Sequence, residues 1–69
     1  MQIYCYTVPE LNRYIELCNF SKDEMRYFNL RSKRNSNVSI ALAMNISEAQ
    51  VSKIARRVRD KMKRVEKYM

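Results

Sequence analysis

This chain of 69 residues contains no glycine and no histidine, only one proline (Pro9), and only two cysteines (Cys5 and Cys18). Each shortage removes a class of chemistry. Without histidine, the Cys–His and Ser–His pairs that activate nucleophiles cannot form within the chain. Without glycine, the phosphate-cradling loops of nucleotide-binding enzymes have nothing to be built from. Two cysteines are too few for a zinc site or a framework of bridges, and they read as incidental thiols of a reducing, intracellular setting. The seven acidic residues sit mostly at helix starts or among basic residues, where capping and helix pairing account for them. No enzyme is expected, and no cofactor is implied. No stretch resembles a membrane span, and Met1–Tyr6 lacks the positive start and apolar core of a signal peptide. The expectation is a cytoplasmic protein with no membrane partner.

What is present points to helices. A chain this short is one domain near the lower limit of independent stability. The near-absence of glycine and proline suits helices joined by short connections. The predicted fold is all-α, a small bundle of about four helices. Charge is unevenly placed within the net +7. Residues 1–30 hold three basic side chains against four acidic ones; residues 31–69 hold eleven against three. A basic half joined to a near-neutral half is the footprint of a polyanion-binding surface, most often nucleic acid.

Along the chain, residues 1–7 alternate loosely and are open to two readings, a short strand or an arm packed on the helices. Thr7-x-x-Glu10 has the form of a capping box, with Pro9 tolerated in a first turn, and predicts a helix from Val8 to Cys18. Its apolar face is Leu11, Tyr14, Ile15 and Cys18. Ser21-x-x-Glu24 is a second capping box, with Phe20 placed to staple onto Met25. The helix it starts should run to about Arg31 and bury Tyr27 and Phe28. Arg31 to Ser36 is a polar, basic break, either a solvated loop or a phosphate contact.

Ser36 to Arg57 is the most informative stretch. Asn37–Met44 reads as a short amphipathic helix with Ile40, Ala41 and Met44 on one side. Asn45 falls where the chain must visit positive φ, which asparagine tolerates better than most residues. Ser47 is a good N-cap, and Val51, Ile54 and Val58 then recur at helical spacing. Two helices joined by about three residues, the second one basic, form the pattern of a DNA-binding helix-turn-helix.

The last helix should run from Ser47 or Glu48 to near Lys67. Its first turns would present Ser47, Glu48, Ala49, Ser52, Lys53 and Arg56 to base edges in the major groove. Lys33, Arg34, Ser36, Asn37, Gln50 and Arg57 are the candidate phosphate contacts. The apolar stripe continues beyond the length a three-helix core needs, through Val58, Met62, Val65 and Met69, and something should cover it. The cover is either the N-terminal arm or the same helix of a second subunit. A homodimer with these four residues at its interface is the favoured expectation, since it would present two recognition helices to a palindromic site.

Phe20-Ser21-x-x-Glu24, Tyr27-Phe28-x-Leu30-Arg31, Ser36-Asn37, Ile40-Ala41, Asn45-Ile46-Ser47-Glu48, Val51 and the basic run through Arg56, Arg57 and Arg59 together resemble region 4 of bacterial sigma factors. They also resemble the related LuxR-type effector domains. The resemblance covers 20–65, about two-thirds of the chain, and departs from the pattern in having Asn45 for the usual turn glycine. It divides the single compact domain into 1–19, an arm and first helix, and 20–69, the helix-turn-helix part. It implies double-stranded DNA as the partner and transcription regulation as the role. It also implies an alternative, a protein-interaction module that docks on RNA polymerase. The other regions by which a sigma factor melts promoters and grips the polymerase are not among these residues, so a complete sigma factor is not expected.

Overall fold

A computed structural model of the chain describes residues 3–68. The fold is all-α. Four helices, α1 (Val8–Cys18), α2 (Lys22–Ser32), α3 (Asn37–Met44) and α4 (Glu48–Val65), lie between two single 3₁₀ turns, Ile3–Cys5 and Glu66–Tyr68. None of the helices among the described residues is long and apolar enough to cross a membrane.

Short polar side chains start every α-helix. Thr7, Ser21, Ser36 and Ser47 each sit in extended conformation and accept a hydrogen bond from the backbone N–H three residues on. At α1, α2 and α4 the bond is reciprocated by Glu10, Glu24 and Gln50, which completes three capping boxes. Each cap stabilises its helix by about 1 kcal/mol. The ends are equally local. Asn19, Arg34 and Asn45 take the left-handed conformation, with φ of 51°, 69° and 57°. At Asn45 the Ile46 N–H donates to the Ala41 carbonyl at 3.0 Å and the Asn45 N–H to the Leu42 carbonyl at 3.3 Å. This closes the turn between α3 and α4 with asparagine where glycine is commonest.

Each of the other three helices packs against α4. Its 18 residues span about 27 Å, most of the 33 Å long axis of the molecule. Val51, Ile54, Val58, Met62 and Val65 form its buried stripe. They meet Tyr14 and Cys18 of α1, Tyr27 and Phe28 of α2, Ile40 and Ala41 of α3, and Ile3 in one cluster. Phe28, 1 % exposed, is its aromatic centre, with ring centroids 5.0 Å from Phe20 and 6.5 Å from Tyr14. Tyr6 extends the ring chain at 5.3 Å from Tyr14. Tilted pairs of this kind contribute about 0.5–1.5 kcal/mol beyond the area they bury.

Of the two readings of the N-terminal segment, the packed arm holds: residues 3–5 form a 3₁₀ turn with Ile3 buried in the core. Two expectations are corrected. The proposed dimer residues Val58, Met62 and Val65 are buried within the single chain, so this stripe offers no interface to a second subunit; the arm, through Ile3, is part of the cluster that encloses it. Met69 lies outside the described residues. Finally, α3 is apolar on both sides: Ile40 and Ala41 are buried, while Val38 and Leu42 are 52 % and 77 % exposed.

Candidate nucleic-acid interface

The expected base-reading residues share one place in the fold. Ser47 caps α4, and Glu48, Ala49, Ser52, Lys53 and Arg56 are all exposed within its first three turns. They lie there because the buried stripe begins at Val51 and Ile54, which fixes the rotation of α4 and turns the intervening positions outward. The Ser47 hydroxyl is committed to its cap, accepting from the Gln50 N–H at 3.2 Å. Glu48 in the first turn sits at the positive end of the helix dipole. Lys53 has no ion-pair partner among the described residues.

The candidate phosphate contacts separate into two groups. Lys33, Arg34, Ser36 and Asn37 occupy the α2–α3 connection and the first turn of α3, all exposed. Ser36 is the α3 N-cap, its hydroxyl accepting from the Ser39 N–H at 3.2 Å. Gln50 and Arg57 lie on α4. The Gln50 side-chain oxygen accepts from the Ser47 N–H at 3.0 Å, so its first role is to close the capping box. Arg57 is 59 % exposed at its side chain and stands 3.6 Å from a carboxylate oxygen of Glu24. Lys53 and Arg57 also line a cleft of about 330 Å³ with Arg26 and Asp23, over Met44, Ile46 and Ile54. Three cations against one carboxylate make that side of the turn positive.

Glu24 is the feature that sequence reasoning assigned too small a role. Its carboxylate completes the α2 capping box, accepting from the Ser21 N–H at 3.0 Å. It also crosses to α4: the Lys61 ammonium donates to the same oxygen, and to the Asn19 carbonyl at 3.4 Å. The side chain is only 4 % exposed. Burial on its own raises the pKa of a carboxyl group; the hydrogen bonds from Lys61 and the Ser21 N–H, with the charges of Lys61 and Arg57, outweigh it and hold Glu24 below the ordinary carboxylate range. One buried anion thus ties the start of α2 to the middle of α4. Arg26 makes a second tie, its guanidinium donating to the Ala43 carbonyl at 3.2 Å near the end of α3. Neither partnership has a sequence signal beyond the capping spacing, because both span elements far apart in the chain.

No protein-family model matches the sequence, and no curated protein or solved structure matches it.

Proposed function

We propose that the protein is a sequence-specific reader of double-stranded DNA that regulates transcription in the cytoplasm, with α3 and α4 as its helix-turn-helix. One observation carries the reading. Ser47, Glu48, Ala49, Ser52, Lys53 and Arg56 form an exposed polar and basic face on the first turns of α4, directly after a turn closed by left-handed Asn45. A helix held this way presents its N-terminal half to the major groove. Lys53 suits guanine as a donor, Glu48 suits cytosine N4 as an acceptor, and Ala49 suits a thymine methyl. Lys33, Arg34, Asn37 and Arg57 supply the sequence-independent attraction to phosphates. The resemblance to sigma region 4 and LuxR-type domains supports the same reading. Any two-fold pairing of such domains on DNA uses a surface other than the α4 stripe, whose Val58, Met62 and Val65 are buried within the single chain.

Binding to a mixed-sequence duplex, followed by fluorescence anisotropy from about 50 to 200 mM salt, tests this reading. Affinity that falls steeply with salt, and falls further in Lys53→Ala and Arg56→Ala, is the expected result. Unchanged binding in both variants removes α4 from the interface.

A second reading has its own observation. Val38 and Leu42 stand one turn apart on the exposed side of α3, an apolar pair that DNA contact does not require. It favours a protein partner such as RNA polymerase. The two readings part at Lys53 and Arg56, which a pure protein binder does not need.

A further inference from the structure

The N-terminal arm does more than fill the core. Ile3 is fully buried, and the next residue, Tyr4, is carried to the basic α2–α3 connection. There the guanidinium carbons of Arg31 and Arg34 lie 5.6 Å and 5.2 Å from the Tyr4 ring centroid. Two cations within about 6 Å of one ring are each attracted by its π-face, yet they repel one another. Neither has a carboxylate partner among the described residues. Arg31 is also fixed from the other side, donating to the Asn35 carbonyl at 2.8 Å. Arg34 reaches the ring from a left-handed backbone with φ of 69°, where its N–H donates to the Arg31 carbonyl at 3.0 Å and the Asn35 N–H to the Leu30 carbonyl at 3.3 Å, closing the end of α2.

Contact with the Tyr4 ring, and for Arg31 the Asn35 carbonyl, hold both guanidinium groups at this connection. An anion bound there would accept from their remaining N–H groups in the planar geometry that suits phosphate. We propose that Tyr4 is the positioning residue of a two-arginine phosphate clamp formed by Arg31 and Arg34, which makes the N-terminal arm part of the nucleic-acid site. The clamp deepens the DNA-binding reading above and rests on it for the source of the phosphate, the duplex backbone. It takes the phosphate-contact reading of the Arg31–Ser36 break and adds Tyr4 of the arm as the group that holds Arg31 and Arg34 there.

The test compares wild type with Tyr4→Phe, Tyr4→Leu and Arg34→Gly. Tyr4→Phe keeps the π-face and should bind a mixed-sequence duplex as wild type does. Tyr4→Leu keeps apolar bulk without it, and should bind about three- to ten-fold more weakly, with a salt slope shallower by about one. Arg34→Gly relieves the backbone and removes one cation, so its thermal midpoint should rise while its binding falls. That opposite movement is one a merely structural role cannot produce. Wild-type affinity and slope in Tyr4→Leu or in Arg34→Gly overturns the clamp. If wild type binds no duplex at all, the DNA reading fails by itself, and inorganic phosphate titrated into the protein decides the clamp. Saturable shifts of the Arg31 and Arg34 Nε–H resonances that vanish in Tyr4→Leu uphold it. Their absence, or their persistence in that variant, overturns it.

Discussion

Replacing Lys61 with methionine removes the partner of a carboxylate that cannot easily reach water. Glu24 is 4 % exposed at its side chain, whereas Lys61 is 29 % exposed. Breaking a buried ion pair from one side costs about 3–5 kcal/mol when the remaining charge is stranded. Here the Ser21 N–H and Arg57 remain, the latter at 3.6 Å and well solvated, so the expected cost falls below that range, at about 2–3 kcal/mol. Glu24→Gln works from the other side. Glutamine still accepts from the Ser21 N–H as a capping-box residue, and Lys61 can turn to solvent, so about 1 kcal/mol is expected. Both are large against the roughly 4–10 kcal/mol that a domain of this size has in total. Urea unfolding followed by helical circular dichroism reads the two midpoints at constant slope. The double variant should recover part of the loss, since the pair acts as a unit. The pH dependence has a definite sign. Glu24 titrates lower in the folded state than the usual carboxylate value, so its contribution is complete above about pH 4.5 and is lost as pH falls through the folded value. The gap between wild type and Glu24→Gln should therefore close in acid. A cost for Lys61→Met no greater than for Glu24→Gln, or a gap that widens in acid, would refute the reasoning.

Three further outcomes follow from the same structure. Asn45→Gly should leave thermal stability unchanged or raise it, while Asn45→Val should lower it by about 1–2 kcal/mol, because the turn holds φ at 57°; differential scanning calorimetry separates them. Ile3→Ala should cost about 2–4 kcal/mol, as a fully buried side chain in the common core does, and a cost under about 0.5 kcal/mol, typical of surface positions, would show that the arm is not part of the fold. Met62→Glu should unfold the single chain, since Met62 is 1 % exposed; a folded monomer in sedimentation equilibrium would return the stripe to an intersubunit role.

The helix starts were legible because capping is local chemistry. Thr7 with Glu10, and Ser21 with Glu24, predict α1 and α2 to within a residue. Asn45 was legible for the same reason, since only a few residues tolerate positive φ. The buried stripe of α4 follows from the spacing of Val51, Ile54, Val58, Met62 and Val65, but spacing says that a face is covered and not by what. Ile3 shows why: a single side chain from the far end of the chain helps fill the space that a second subunit was expected to occupy. The outer face of α3 was misjudged because Ile40, Ala41 and Met44 account for its buried side, and Val38 and Leu42 look much the same in sequence. Among the site residues, the exposed face from Glu48 to Arg56 was predictable from the stripe opposite it. The dual role of Glu24, the Arg26 tie to α3 and the placement of Tyr4 beside Arg31 and Arg34 all join distant segments, and no local rule reports them.

Selection of binding sites from a random-duplex pool, with the purified protein at about 0.15 M salt, is the most direct test of the central claim that the first turns of α4 read bases. The account predicts enrichment of one short motif, with Lys53→Ala and Arg56→Ala each losing about 1–3 kcal/mol and relaxing preference at particular positions within it. An unenriched pool, with only salt-sensitive background binding, would contradict the claim and point to the exposed Val38 and Leu42 face of α3 as the functional surface.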